Sequence, residues 1–325
     1  MNNPTNRSIY PFVLLMGILA VSTASIFIRF AQEDAPSLTI AALRLLFASL
    51  ALAPIALRKH RFELFALTHG ELALGLLSGI FLAIHFATWV SSLEYTTVAS
   101  SVVFVSTGPL WVALLSPIFL KEKLANSAFL GLGLTLLGAT IIAMSGVCVW
   151  DRGISCPYLS DLLHDRAMWG NFLALIGAWA VTGYLMIGRR LRVKVSIIPY
   201  IFLVYSVAAL VLVTVMFAAG ESPFGYQPKT YIWLLLLAFL PQLVGHSIYN
   251  WSLRFFPVAI VAVTTLGEPI GSSILAYFIL QEKPGLAILL GGVLILIGIY
   301  FATRTAEKSK NHAKTDYESN PTSLP

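Results

Sequence analysis

The chain alternates between long apolar runs and short polar connections. Ten of the runs are about 20 residues long, which is the length that an α-helix needs to cross the core of a bilayer. The runs lack the charged face, recurring every third or fourth residue, that soluble helices of this length carry. The pattern predicts ten transmembrane helices at 9–30, 36–57, 71–94, 96–120, 125–146, 167–188, 196–218, 230–254, 257–280 and 285–303.

The two halves of the chain repeat each other at a constant offset of 160 positions, so that 93–138 aligns without a gap on 253–298. The identical pairs include Val98 and Val258, Ala99 and Ala259, Pro109 and Pro269, Leu120 and Leu280, Glu122 and Glu282, Lys123 and Lys283, Gly131 and Gly291, Gly138 and Gly298. A duplicated unit of this size determines the whole fold. Because each half contains an odd number of predicted spans, the halves are expected to cross the membrane in opposite directions, as in secondary transporters.

Composition agrees with a membrane protein. Hydrophobic residues make up 58% and charged residues 11%, and the mean hydropathy is +0.82, whereas a soluble domain is about 25% charged. The net charge of +6 comes from basic residues scattered between apolar runs, so we expect no nucleic-acid partner. The first apolar run has no small-residue cleavage site and is predicted to be a span, not a signal peptide.

The connections alternate in charge, and cytoplasmic loops carry an excess of Lys and Arg. The basic connections contain Arg7, Arg58, Lys59, Arg61, Arg189, Arg190, Arg192, Lys194, Arg254 and Arg304, and the acidic ones contain Glu33, Asp34, Asp151 and Glu221. This alternation predicts that both termini are cytoplasmic. We expect a first repeat at 8–146, an extracytoplasmic loop at 147–166, a second repeat at 167–303 and a disordered cytoplasmic tail at 304–325.

Two cysteines, Cys148 and Cys156, flank the predicted extracytoplasmic loop. They are too few for a metal cage or a disulfide framework. They can bridge each other in an oxidising compartment or remain unpaired, and the sequence leaves both alternatives open. No cofactor and no metal site are predicted.

A doubled motif indicates a family. Each half has a proline in mid-helix, a glutamate that closes that helix, and glycines at the start and end of the next. The motif residues are Pro109, Leu120, Lys121, Glu122, Gly131 and Gly138, then Glu268, Pro269, Leu280, Gln281, Glu282, Gly291 and Gly298. The pattern resembles the EamA family of the drug/metabolite transporter superfamily. The early segment Leu43-Arg44-Leu45 resembles the family's basic residue on its second helix.

The resemblance implies an all-α carrier of the bacterial inner membrane, with ten helices in two inverted five-helix repeats around a central cavity. It also implies alternating access between the two sides. One departure is the residue before each closing glutamate. The family usually has a small residue there, and this chain has Lys121 and Gln281.

The two prolines and the glycines of the motif have physical roles of their own. Pro109 and Pro269 each remove a backbone hydrogen bond within a span, which produces either a hinge or a fixed bend around neighbouring helices. The glycines allow close approach of helix backbones, for packing within the chain or in a homodimer.

Polar residues in mid-span are costly in lipid, so they face a cavity or a neighbouring helix. His85 and Trp89 share a helical face, as do Gln242, His246 and Asn250, with Tyr249 beside them. The 160 offset maps His85 to Gly245, next to His246. The predicted substrate-binding residues are His85, Trp89, His246, Tyr249, Asn250, Glu268 and Arg44.

Glu268 is the one acid well inside a predicted span. It can pair with Arg44 as a structural lock, carry a coupling proton, or hold a substrate amine. Arg44 can bind a carboxylate or phosphate, pair with Glu268, or extend towards the interface.

These features predict a secondary transporter that exports small amphipathic metabolites, such as amino acids. No phosphate-binding loop for ATP and no catalytic motif occurs in the sequence, so we do not expect an enzyme. Two alternatives remain open: an organophosphate or nucleotide-sugar antiporter of the same fold, and a non-transporting receptor or scaffold.

Overall fold

The computed structural model describes residues 9–121, 126–145, 149–150, 154–155, 166–281, 285–287, 289–295, 297–298 and 301. Helices dominate this part of the chain. They are α1 (Ile9–Ser22), α2 (Ala24–Ala31), α3 (Ser37–Lys59), α4 (Arg61–Phe65), α5 (His69–Tyr95), α6 (Val98–Val105), α7 (Gly108–Phe119), α8 (Asn126–Ser145), α9 (Arg166–Arg192), α10 (Ile197–Ala218), α11 (Pro228–Leu237), α12 (Ser247–Ser252), α13 (Val258–Thr264) and α14 (Glu268–Ile279). A π-helical segment, Ala238–His246, links α11 to α12, and a 3-10 turn, Thr265–Gly267, links α13 to α14. Two short strands, β1 (Val149–Trp150) and β2 (Ile154–Ser155), pair antiparallel.

Eight helical stretches in the described residues are long and apolar enough to cross a membrane, so the chain is a multi-pass membrane protein. They are Phe12–Ala31, Ser37–Lys59, His69–Tyr95, Ser100–Phe119, Arg166–Arg192, Ile197–Ala218, Pro228–Ser252 and Val258–Ile279. They coincide, to within a few residues, with the predicted spans other than the fifth and tenth. The fifth corresponds to α8, which contains the shorter apolar helix Phe129–Gly138. In the tenth, residues 286–287, 289–295, 297–298 and 301 are helical. Glu122, Glu282, Cys148, Cys156 and the predicted tail at 304–325 lie outside the described residues.

Several of the spans are broken in mid-course. Residues 106–107 separate α6 from α7, and the 3-10 turn separates α13 from α14. Pro109 and Pro269 lie in the first turn of the second helix in each case. Proline is well tolerated there because the amide that it lacks would have no partner within the helix. Each proline therefore follows a local turn or 3-10 distortion within a span that is helical on both sides of it.

Acidic side chains tie the ends of α3 and α10 together. Glu221, which follows α10, accepts hydrogen bonds from the Thr39 amide at 3.0 Å and the Thr39 hydroxyl at 2.8 Å, in the first turn of α3. Glu63, which follows α3, accepts a hydrogen bond from the Ser196 amide at 2.6 Å and another from the Ser196 hydroxyl, at the start of α10. These carboxylates satisfy amides that have no partner within the helix. Each helix begins where the other ends, so α3 and α10 run antiparallel.

A second antiparallel crossing joins α8 to the helical residues after 285. A Cβ atom added to Gly138 would lie 2.5 Å from the Gly291 carbonyl oxygen, and one added to Gly298 would lie 2.5 Å from that of Gly131. Only glycine permits backbones to approach this closely. Because the start of each helix lies against the end of the other, these two helices also have opposite directions.

The residues before the closing glutamates have a left-handed backbone. Lys121 has φ 56° and Gln281 has φ 57°, immediately after the ends of α7 and α14. A left-handed residue commonly terminates a helix, and glycine takes this conformation without the steric cost of a Cβ atom. This geometry gives a physical reason for the small residue that the sequence pattern of the family has at these positions.

The contact between Glu63 and Ser196 predicts a pH-dependent contribution to stability. Partial burial raises the pKa of Glu63, but the hydrogen bonds from Ser196, with His60 and Arg192 nearby, lower it below the ordinary value of 4.5. A lowered pKa means that the contribution is present above about pH 4.5 and is lost as the pH falls through the pKa of the folded state. We expect Glu63→Gln to reduce stability at pH 7 by about 1 kcal/mol, a figure reduced for solvent screening.

Thermal unfolding in detergent micelles between pH 7 and pH 3.5 tests this expectation. The difference in melting temperature between the parent protein and Glu63→Gln should shrink below about pH 4.5. Glu33→Gln is the matched control, because Glu33 pairs with Lys229 at 3.3 Å through side chains that are more than half exposed. A difference that stays constant over the whole pH range would contradict this interpretation.

Candidate functional site

A small cavity lies in mid-span between α5, α9, α12 and the two broken helices. Its volume is about 50 Å³, a few times the roughly 10–15 Å³ that a cavity needs to hold one water molecule. The ionisable and aromatic residues on its wall are His85, Trp89, Tyr184, His246, Tyr249 and Glu268. A metabolite-sized cargo therefore requires the cavity to widen.

Four rings form an arc along the cavity wall, and we call Trp89, His85, His246 and Tyr249 the aromatic arc. The ring centroids of His85 and Trp89 are 5.8 Å apart, those of the two histidines 6.3 Å, and those of His246 and Tyr249 6.3 Å. Spacings of three and four residues on α5 and around the start of α12 place each pair on one helical face. The arc therefore joins equivalent regions of the two repeats across the cavity.

One ring nitrogen of His85 makes a hydrogen bond between helices, and the other remains available as an acceptor. Its Nδ1 lies 2.9 Å from the Gly177 carbonyl oxygen on α9. A carbonyl can only accept, so Nδ1 carries the proton and Nε2 of the neutral ring is an acceptor. The ring thus links α5 to α9 and still contributes an acceptor to the wall of the cavity.

Glu268 is the first residue of α14 and lines the cavity. A carboxylate in this place interacts favourably with the positive end of the helix dipole. In the part of the chain that the structure describes, no basic group lies within 4.0 Å of its carboxylate. A direct Glu268–Arg44 ion pair, one of the alternatives for these residues, is therefore not formed here.

Arg44 is fully buried behind the cavity wall. Its Nε donates a hydrogen bond to Gln242 Oε1 at 2.9 Å, and its guanidinium lies 4.1 Å from the centroid of the Phe86 ring. Its Nη1 and Nη2 have no hydrogen-bond partner among the described residues. The Phe86 ring also lies 5.2 Å from the ring of His246, so one aromatic layer separates Arg44 from the aromatic arc.

Asn250 also lies behind the wall. Its side-chain nitrogen lies within hydrogen-bond reach of the hydroxyls of Tyr184 and Tyr205 and, at 2.8 Å, of the His246 carbonyl oxygen. Its two N–H groups can donate to two of these acceptors at a time. Its backbone carbonyl oxygen accepts a hydrogen bond from Arg192 Nε at 3.1 Å. These contacts position Tyr184 and the start of α12, so Asn250 supports the site without facing the cavity.

The predicted residues thus lie close together, some on the cavity wall and others directly behind it. His85, Trp89, His246, Tyr249 and Glu268 line the cavity, as does Pro109. Arg44 and Asn250 lie one layer behind, and Pro269 is buried next to Glu268. Sequence reasoning missed Tyr184 and Phe86. The seven-residue spacing that puts Tyr184 on the same face of α9 as Gly177 was a signal for it.

Comparisons with known proteins identify the family and the fold. A model of the EamA-like transporter family matches residues 8–144 and again 168–304. An uncharacterized transporter of Archaeoglobus fulgidus is 23% identical over 295 residues, which cover 90% of this chain and 95% of that protein. The uncharacterized transporter YdfC of Bacillus subtilis is 23% identical over 68% of each chain. A protein of known crystal structure shares the fold, with a TM-score of 0.69 at 17% identity, over 93% of this chain and 99% of that one.

The bond between Arg44 and Gln242 predicts opposite effects of two substitutions. Gln242→Leu removes the acceptor of a buried charged donor, which costs about 1.5–3 kcal/mol. Gln242→Glu places a carboxylate at the same point and should raise stability. Unfolding in detergent micelles measures both effects, with the exposed Gln227→Leu as the control. A Gln242→Leu variant as stable as the parent protein would show that Arg44 does not depend on this bond.

Proposed function

Because the chain belongs to the EamA-like transporter family, we propose that it is a secondary transporter that exports small amphipathic metabolites, amino acids or similar molecules, across the inner membrane. The observation that carries this proposal is the cavity in mid-span, with an acid and an aromatic arc on its wall. Buried ionisable groups in a membrane interior are expensive and generally mark a transport pathway.

The chemistry of the wall suits a zwitterion with an apolar side chain. Glu268 can accept hydrogen bonds from an ammonium group, and the neutral His85 ring adds an acceptor at Nε2. The rings of the aromatic arc provide faces for an apolar side chain or for a cation. The guanidinium of Arg44 adds a positive charge behind Phe86.

Two antiparallel pairs support the inverted arrangement that we propose. Residues at an offset of 160 lie in equivalent helices, so α3 is the counterpart of α10 and α8 that of the helix after 285. Each helix runs antiparallel to its own counterpart. Two five-helix repeats in opposite orientations, with both termini in the cytoplasm, account for these pairs together with the basic connections.

Alternating access would use the breaks before Pro109 and Pro269 as hinges. The cavity wall includes Ser106, Gly108 and Thr265 from these breaks. Swinging α7 or α14 about its first turn would therefore change the volume of the cavity directly. Hinges are typically a few residues at the ends of helices, as these are.

In this conformation, hydrogen bonds connect neighbouring helices at both ends of the spans. At the end that we propose to be extracytoplasmic, Asp34 accepts from the Gln227 amide at 2.7 Å and from the Thr230 hydroxyl at 2.8 Å. At the opposite end, Arg189 donates to the Leu253 carbonyl oxygen at 2.7 Å. Near the membrane surface, water can replace the partners of such hydrogen bonds at little cost. The hydrogen bonds at one end can therefore break while those at the other end remain. The small cavity has to widen at one step of such a cycle.

Transport in proteoliposomes tests the proposed function. We expect saturable flux of radiolabelled L-leucine or another apolar amino acid, reduced at least tenfold by His246→Ala, because this ring forms part of the cavity wall. His69→Ala is the matched control, since His69 is exposed at the start of α5. Absence of flux for every amino acid tested would reject the substrate class. Flux that His246→Ala leaves intact would reject the cavity as the site.

A pH gradient tests whether Glu268 couples transport to protons. If its carboxyl carries the coupling proton, Glu268→Gln should make the remaining flux independent of the gradient, in addition to weakening the binding of an ammonium group. The measurement compares the ratio of flux with and without the gradient in the parent protein and the variant. An equal response to the gradient in both would exclude Glu268 as the proton carrier.

A further inference from the structure

Two buried hydrogen-bond donors on the cavity wall have no acceptor within the described chain. Trp89 and Tyr249 are 2% and 4% exposed. Trp89 Nε1 and the Tyr249 hydroxyl lack a hydrogen-bond partner among the described residues, although both side chains line the cavity. Buried tryptophan and tyrosine normally find a partner, because an unsatisfied buried donor is destabilising. The missing acceptor can come from a molecule that enters the cavity.

The two donors are counterparts in the duplicated sequence. Trp89 and Tyr249 are related by the 160 offset and form the two ends of the aromatic arc. Each packs beside a glycine of the opposite repeat. A Cβ atom on Gly177 would lie 3.4 Å from Trp89 Cβ, and one on Gly17 would lie 3.5 Å from Tyr249 Cε1. Gly17 and Gly177 are themselves 160 positions apart. Equivalent glycines of the two repeats therefore pack against the two side chains that carry the donors.

We propose that Trp89 Nε1 and the Tyr249 hydroxyl form a two-donor subsite for the carboxylate of the cargo. This inference rests on the proposed transport of amino acids and assigns the two ends of such a cargo. A carboxylate has two acceptor oxygens, and hydrogen bonds to an ionised acceptor are stronger than those between neutral groups. Glu268, on the same wall, takes the ammonium end.

Neutral donors suit a carrier better than a direct contact with Arg44. A guanidinium in a dry site binds a carboxylate through two parallel charged bonds. A transport site must bind its cargo firmly enough to admit it and weakly enough to release it. Arg44 lies behind Phe86, so its charge favours an anion in the cavity without touching it. The two neutral donors then provide the contacts that form and break in each cycle.

Two conservative variants remove the donors and keep the rings, Trp89→Phe and Tyr249→Phe. The probes are L-leucine and its decarboxylated analogue 3-methylbutylamine, and the measurement is the ligand-dependent rise in melting temperature of the protein in detergent micelles. We expect each variant to weaken the apparent affinity for L-leucine about tenfold, as loss of one charge-assisted hydrogen bond predicts. Affinity for 3-methylbutylamine should stay within about twofold, because the amine does not use these donors.

Trp233→Phe is the control for the aromatic substitution, because Trp233 stacks on Phe27 and Phe30 and does not line the cavity. The subsite is overturned if the two variants weaken the affinity for leucine and for the amine equally, or if they leave the affinity for leucine unchanged. A measurement on the parent protein alone adds a test that needs no variant. The carboxylate analogue 3-methylbutanoate should stabilise the protein, and a failure to do so also overturns the subsite.

The outcomes separate this inference from the proposed function. If the variants weaken leucine binding but no leucine flux is seen in proteoliposomes, the carboxylate subsite is supported and the transport of leucine-like amino acids is rejected. Leucine flux that saturates at the same concentration in the parent protein and both variants leaves the transporter and rejects the subsite. A parent protein that neither binds nor moves leucine rejects both.

Discussion

The need to pair every backbone polar group inside the membrane controls where this protein can depart from helical structure. The breaks at 106–107 and 265–267 lie at the cavity, surrounded by other helices. Threonine hydroxyls accompany the breaks. Thr107 donates to the Phe104 carbonyl oxygen at 2.8 Å, and Thr265 donates to that of Ala262 at 2.7 Å. Irregular backbone and cavity therefore occur together, because only a protein-lined interior can satisfy the groups that a broken helix releases.

The antiparallel pairs follow from the same constraint at the helix ends. The first amides of a helix have no partner within it, and near a membrane surface an acidic side chain can accept from them. Glu221 does this for α3 and Glu63 for α10, each from the segment that follows the other helix. Such contacts stabilise the ends modestly and exchange readily with water.

Much of the site could be predicted from spacing, and the limits of the prediction have physical causes. His85, Trp89, His246 and Tyr249 lie on helical faces that the repeat relates, so their convergence followed from the sequence. The burial of Arg44 could not be predicted, because the sequence of one helix does not show which side chains of other elements pack against its polar residues. Here these side chains are Gln242 and Phe86. The prolines signalled two helix breaks. The break at Thr23 has no comparable signal, since no proline or glycine adjoins it.

Among the described residues, Arg44 and Glu268 form no direct ion pair beside the cavity. A direct contact between Arg44 and Glu268 would fill the space at the cavity wall and would cost much to break, because either charge alone would be left buried without a partner. Gln242 instead holds the guanidinium through its Nε, and the Phe86 ring covers it. Glu268 remains at the start of α14, where the helix dipole favours its charge. An acid and a base that are close but unpaired leave room for a molecule that carries both charges itself.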